Sequence, residues 1–547
     1  MNNVCIENHK TLKILKEHFW LLALIAVYLY LFSIYGFKLY FDLTFEGDFG
    51  RDFYYYYLVS KGQLPYIHFN WIYGPLAPLM YGLTYKLFGV NIFNAALIWY
   101  ILFTIIVFGQ YFLVSRFSNN FCGFLAGLIF ILYYTMIIKS TNHIFGSMIL
   151  TAITILMYYY FIKTKPWLIY TIAGFCFLLI MVKINMGIII LVAVFAGITV
   201  YNYFNKLDMK KSCLLTIVVV VLSAIIYGLF IYFIPEEQVN KSFPFSSSLL
   251  MGPTESLFNR LFLFDSVIPY FEDIENLDLL RFLHFFSAAV WYFVFLFLSL
   301  LAGLLIYKKE GINSYKLFFV LILFIAGLLS THEFILVGTI YTLRYWTLPV
   351  VIPLVFFAAS YFIDTYKETR WLGPVLTAFC TFLFAGLLVK IHVATLYASY
   401  PASYAPCKRA KISFVNDQWY QIFTKGINYI EQNTLKDENV LTLPYNTIYN
   451  FISQRDQPSR YTEFMYISGL SDDDQNKIIE DIENKKVNII LKSLKVSIPE
   501  KGIGEFGKTH CNILNRYIND HYLPAHEVTW YGGKPITIIY RRETPFR

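Results

Sequence analysis

Apolar runs of membrane-spanning length recur through the first 392 residues, each bounded by charged or turn-forming positions. The first, about Phe19 to Tyr40, can cross a hydrocarbon core that needs roughly 20 residues, and no small-residue cleavage site follows it. It reads as an anchor. Further runs near 91–114, 121–138, 144–162, 168–182, 187–204, 213–234, 284–307, 317–330, 344–362 and 371–392 bring the expected total to about eleven transmembrane helices. Between them lie a first outer loop, 41–90, and a long outer loop, 235–283.

After about Val393 the pattern becomes mixed. It predicts a helix over Phe414–Gln432, a strand over Val440–Leu443, a helix over Asp472–Lys485, a strand over Val487–Leu491 and a closing hairpin. Ser471 can cap the second of these helices, with acidic residues in its first turn to complement the dipole. The hairpin is expected to turn at Gly532 and Gly533, between Val528-Thr529-Trp530 and Ile536–Tyr540. The fold class is therefore a polytopic α-helical membrane protein, residues 1–392, with a soluble C-terminal α/β domain, residues 393–547, that can serve as a lid or an acceptor platform.

Composition agrees with a membrane protein: 57% of residues are hydrophobic and only 15% charged, against about 25% in soluble chains. Charge also sets orientation. Lys10, Lys13 and Lys16 precede the first span, which places the N-terminus in the cytoplasm. Alternation then puts Arg116, Lys163, Lys165, Lys206, Lys210, Lys211, Lys308, Lys309, Lys316, Lys367 and Arg370 in inner loops. Every expected inner loop is basic, whereas the opposite short loops hold little beyond Lys139, Lys183 and Arg344. The net charge of +8 is thus explained by topology, and no solvated basic stripe points to nucleic acid. An odd span number places the C-terminal domain outside a cytoplasmic membrane. Of seven cysteines, only Cys407 and Cys511 fall in that domain, where they could form a disulfide or remain buried thiols. No Cys-x-x-Cys or His-rich spacing suggests zinc.

The chemistry concentrates just beyond the first span, in Glu46-Gly-Asp48-Phe-Gly-Arg51-Asp52. Carboxylates are costly beside a membrane, so their presence asks for a chemical reason. Asp48 and Asp52 share a face if the segment is helical, and their proximity could raise one pKa toward a useful base. The structural alternative is that one or both pair with Arg51 or cap a short helix. Glu46 reads as a solvated loop charge. Tyr54–Tyr57, Trp71, Tyr73 and Tyr81 could stack on a sugar, but their default reading is an interfacial aromatic belt. Pro75 and Pro78 are expected to break helical continuity in a loop along the interface. No nucleotide-phosphate loop is present, which disfavours direct use of a nucleotide sugar.

In combination these residues resemble the GT-C superfamily of polyprenyl-phosphate-sugar-dependent glycosyltransferases, particularly family 39, the bacterial relatives of protein mannosyltransferases and aminoarabinose transferases. The resemblance rests on Asp48 shortly after the first span, Gly62-Gln63-Leu64-Pro65-Tyr66, Tyr73-Gly74-Pro75-Leu76 and Leu87-Phe88-Gly89. Lys183-Ile184-Asn185-Met186-Gly187 and the C-terminal domain ending in Ile538–Arg542 extend it over most of the chain. It implies an inverting transfer of sugar from a lipid phosphate to a glycan, lipid or protein acceptor among the membrane lipids. Asp48 then becomes the general base and Asp52 the second candidate. A departing phosphate needs cations on the acid's side, which makes Lys183, Arg344 and Arg51 candidates to hold it. For Lys183 and Arg344 the alternative is interfacial snorkelling. Asn185, His68, Tyr73, His332 and Glu333 are candidates to orient substrate, with ordinary polar surface as the alternative for the histidines and Glu333. No cofactor is implied, and the sequence does not decide whether a divalent metal assists.

A lipid-linked glycan transporter should place ionisable groups near the bilayer midplane and often shows repeated halves; neither is seen. A polysaccharide polymerase or ligase shares the lipid-linked substrates, and the acid immediately after the first span is the discriminating feature. The topology has a direct check: a reporter fused after Val393 is expected to be active only outside the cytoplasm, and cytoplasmic activity would invert every assignment after the first span.

Overall fold

The computed structural model describes residues 18–33, 48–134, 141–163, 165–234, 296–330, 341–365, 403–407, 409–414, 417–464, 470–494, 505–529 and 535–546. The membrane part contains α1 (His18–Ser33), α2 (Asp48–Ser60), α3 (Leu76–Phe88), α4 (Ile92–Phe117), α5 (Asn120–Tyr134), α6 (Thr141–Lys163), α7 (Pro166–Val182), α8 (Ile184–Phe204), α9 (Lys210–Phe233), α10 (296–310), α11 (Tyr315–Ser330) and α12 (Tyr341–Thr365). Ten of the expected spans coincide wholly or partly with these helices; the last, 371–392, and the long loop 235–283 lie outside the described residues. By length and composition α4, α6, α8, α9 and α12 can each cross a membrane. The 26 residues of α4 rise about 39 Å, ample for a core of about 30 Å. Its start is fixed by Asn91, whose side chain accepts the Phe93 N–H at 2.8 Å.

The bundle is held by side-chain packing at close approaches. α4 packs on α5 and α6, α7 on α6 and α8, and α11 on α8 and α12. Small residues allow this: a Cβ on Gly197 would run into Ile322, and one on Gly146 into the Trp346 ring. α9 leaves most of its apolar surface uncovered, as a lipid-facing rim helix does.

The described part of the first outer loop, 48–90, is largely helical. Pro75 and Pro78 sit at the N-cap and in the first turn of α3, where a missing N–H costs nothing, so they start a helix instead of interrupting one. Between α2 and α3 the chain is pinned to the bundle, because the Gly74 N–H donates to the Val182 carbonyl at 2.9 Å. The aromatic-belt expectation is overturned for Tyr54–Tyr57, Trp71 and Tyr81. All are buried: Tyr56 stacks on Tyr81 at 4.7 Å, and Tyr55 stacks on Phe69 at 4.4 Å. They are covered because a second layer of protein, the C-terminal domain, lies over α2.

That domain begins with a hairpin, β1 (Ser403–Cys407) and β2 (Ala410–Phe414), paired from Ser403↔Phe414 to Cys407↔Ala410. The hairpin takes Phe414, so the helix expected from that residue, α13, runs over Asp417–Asn433. Next come β3 (Val440–Leu443), α14 (Ile448–Ser453), α15 (Asp472–Asn484), β4 (Ile489–Ser493), α16 (Asn512–His521), β5 (Tyr522–Thr529) and β6 (Pro535–Arg542). The sheet order is β3-β4-β6-β5. β3 and β4 are parallel and joined through α14 and α15, whereas β6 is antiparallel to both neighbours, with Leu491 opposite Ile539. Ser471 caps α15 as expected, in a reciprocal box with Asp474. The hairpin's turn at Gly532 and Gly533 lies outside the described residues.

Leu441, Ile490, Ile478, Ile482, Leu514 and Ile518 pack between the sheet and α15 and α16. Cys511 joins this core as a free thiol that burial pushes up to about 12, so the bridge to Cys407 is not formed. The domain meets the membrane part through α14, whose Phe451 lies against Phe53, Tyr57 and Tyr85 at centroid distances of 5.7, 6.4 and 6.1 Å.

Gly74 tests whether this architecture depends on close backbone contact. A Cβ there would collide with the Met181 carbonyl, whereas Gly228 has open space around it. Gly74→Ala is expected to cost about 1–3 kcal/mol and to lower the melting temperature in detergent, with Gly228→Ala neutral or slightly stabilising. Equal melting of the two variants would contradict the pinned loop.

Candidate functional site

α2 presents Arg51 and Asp52 to a seam between the bundle and the C-terminal domain, where both side chains are 1% exposed. An arginine so deeply buried must be satisfied by partners. Its Nε and Nη2 donate to Asp52 Oδ1 at 3.0 and 2.9 Å, and its Nη1 donates to Glu463 Oε1 at 3.0 Å. Rings crowd the guanidinium: its carbon lies 5.4 Å from the centroid of Trp71, 5.5 Å from Tyr73 and 5.8 Å from Tyr445. The first two rings are themselves fixed, since Trp71 Nε1 donates to the Gly74 carbonyl at 2.9 Å and the Tyr66 hydroxyl donates to the Tyr73 carbonyl.

The bond from Gly74 to Val182 carries Tyr73 to the junction of α7 and α8. There Lys183 forms an extended link between the two helices and is 8% exposed. Its Nζ lies 5.4 Å from the centroid of Tyr73 and 5.4 Å from that of Trp346. Tyr73 thus touches two buried cations, Arg51 on one side of the seam and Lys183 in the bundle. His143, at the start of α6, completes the box at 6.1 Å from Tyr73 and 5.4 Å from Trp346.

The segment from Gln454 to Phe464 straps α2 from above. The Gln457 N–H donates to the Tyr54 hydroxyl at 2.8 Å, the Tyr55 hydroxyl bonds with Thr462, and Arg460 donates to the Tyr66 carbonyl at 2.7 Å and to Asn70 Oδ1 at 3.2 Å. At the rim Lys61 pairs with Asp456 at 2.9 Å in the open, a contact worth little by itself. Burial, reinforced by the Glu463 charge, pushes the Tyr55 hydroxyl above its ordinary range and keeps it protonated. Burial also lowers Arg460.

Of the residues singled out in the sequence, Arg51, Asp52, Tyr73 and Lys183 converge. Asp52 is engaged by Arg51, the structural alternative anticipated for it. Asp48 opens α2, one turn ahead of Asp52. Asn185 is half-buried in the first turn of α8, where its side chain accepts the Met186 N–H at 3.0 Å. His68 is exposed, and its Nδ1 accepts the Leu64 N–H at 2.9 Å, which makes it a turn-holding residue. Arg344 lies in the first turn of α12, two residues ahead of Trp346, with its side chain outside the described residues; His332 and Glu333 lie wholly outside them. Sequence reasoning missed Glu463, Tyr445, Trp346 and His143. The last two had a signal, since each stands at the predicted outer end of a span, near Arg344 and Lys139; Glu463 and Tyr445 had none. Among the described residues no three His, Cys, Asp or Glu side chains gather as a metal site requires.

No family model and no curated protein matches the sequence. Solved structures do. ArnT from Cupriavidus metallidurans in the apo state aligns with a TM-score of 0.53 at 10% identity, over 95% of this chain and 97% of that one. The same protein bound to undecaprenyl phosphate aligns with a TM-score of 0.51 at 10% identity, over 96% and 98%. The Archaeoglobus fulgidus oligosaccharyltransferase in the apo form gives 0.49 at 13% identity, over 87% and 70%. The near-complete overlap shows that this chain and ArnT share a fold, in keeping with the sequence resemblance.

The buried pair has a measurable consequence. Arg51→Leu removes the guanidinium that Asp52 and Glu463 both face and is expected to cost about 3–5 kcal/mol in thermal unfolding, while Arg51→Leu/Asp52→Leu recovers part of that loss. Additive losses in the double variant would show that the two residues are not coupled.

Proposed function

We propose that this chain is a membrane glycosyltransferase that moves a sugar from a polyprenyl-phosphate carrier to an acceptor hydroxyl or amine at the outer face of the cytoplasmic membrane, with inversion. The observation that carries this reading is the convergence of two buried cations, Arg51 and Lys183, on one ring at the head of the helix that bears the acidic pair. A GT-C fold shared with a protein solved with undecaprenyl phosphate supports a lipid-linked donor.

In the proposed step Asp48 takes the acceptor's proton as the acceptor oxygen or nitrogen bonds to the anomeric carbon. The bond from that carbon to the phosphate oxygen breaks, and its electron pair leaves with the phosphate. Charge grows on the leaving oxygen, and Lys183 and Arg51 oppose it within a seam screened from water. Asp52 is then a positioning residue that holds the guanidinium, with Asp48 as the base. Arg344, Asn185, His332 and Glu333 remain proposed aids to donor binding. The C-terminal domain, strapped to α2, offers the surface on which a glycan, lipid or protein acceptor approaches.

The test is the purified chain in detergent with a panel of radiolabelled polyprenyl-phosphate sugars, compared with Asp48→Asn. One donor is expected to be consumed, with release slowed about 100-fold or more in the variant. Equal rates would remove Asp48 as the base, and no consumption of any donor would overturn the enzyme reading.

A further inference from the structure

Arg51 carries two carboxylates of very different standing. Asp52 is its neighbour in sequence, takes two of its N–H groups on one oxygen, and is 1% exposed. Glu463 arrives from the other domain, accepts from Nη1 at 3.0 Å, and is 15% exposed. Trp71, Tyr73 and Tyr445 surround the guanidinium and restrain it from turning toward another anion. An incoming anion must therefore take an edge of the fork, and the Nη1 edge is the one whose occupant is the shallower and comes from the other domain. Lys183 faces the same Tyr73 ring, its Nζ 5.4 Å from the centroid. A phosphate drawn to the Nη1 edge would meet the carboxylate that Glu463 places there, and two anions on one guanidinium edge repel.

We propose that Glu463 and the donor phosphate compete for Nη1 of Arg51, so that the carboxylate is the exchangeable counter-ion of the phosphate subsite. This rests on the lipid-phosphate reading above and adds a regulation to it. Docking of the phosphate headgroup displaces Glu463, frees the end of the strap at 461–464, and signals donor occupancy to the domain that meets the acceptor. No bond is made or broken in the exchange; one ion pair replaces another.

The experiment is equilibrium binding of undecaprenyl phosphate to the full chain in detergent. Glu463→Gln keeps the hydrogen-bonding shape without the charge and is expected to bind roughly three- to tenfold more tightly than the unaltered chain. Asp456→Asn, which loosens the same strap at its exposed rim without touching Arg51, is expected to bind as the unaltered chain does. Equal or weaker binding by Glu463→Gln, or equal tightening in both variants, overturns the competition. If the unaltered chain and both variants bind no undecaprenyl phosphate, the lipid-phosphate reading itself fails. A measurement on the unaltered chain covers the case in which the substitution disturbs folding: amide exchange over 461–464 should accelerate when undecaprenyl phosphate is added, and slowed or unchanged exchange contradicts the release.

Discussion

The seam depends on one buried guanidinium. Removing an arginine from water costs several kcal/mol unless its N–H groups are matched, and Arg51 is matched from two directions, by Asp52 on its own helix and by Glu463 on the C-terminal domain. Neither the loop helix nor the domain could bury this group alone. The ion network therefore fixes their relative placement, and Arg460, Thr462 and Gln457 reinforce it with bonds to the loop. What results is a buried, aromatic-walled ion network in which charge is strong because water is excluded.

The seam also depends on backbone contact. Gly74 approaches the end of α7 closely enough that its N–H reaches Val182, which sets Tyr73 against Lys183. The same ring faces Arg51. A lysine at a span end usually snorkels to water; this one is enclosed because a loop, a bundle helix bearing Trp346 and the start of α6 close around it. The two cations thus come from distant parts of the chain, yet one tyrosine organises both.

Much of this was legible in the sequence, for physical reasons. A membrane span must be long and apolar, so the bundle announces itself in hydropathy, and the Ser471 cap and Val440–Leu443 strand obey local rules. The helix at Asp48–Ser60 was anticipated only conditionally. Burial of Tyr54–Tyr57 was not, because an aromatic run reads alike whether it faces lipid or a second domain; only tertiary contact with Phe451 decides. Asp52 and Arg51 are adjacent and their pairing could be foreseen. Glu463 is remote in sequence from Arg51 and lies in a loop without a motif, so nothing local marks it. The short helix α14 and helix α16 were missed for a related reason, since each is stabilised by the domain core it packs on.

In the proposed function Arg51 and Lys183 together hold a phosphate at the seam. The most direct measurement is an experimental density map of the full chain with undecaprenyl phosphate bound. The phosphate should lie within hydrogen-bond reach of both Arg51 and Lys183, beside the Tyr73 ring. A headgroup resolved elsewhere on the bundle, with the two cations still facing only protein, would contradict the account.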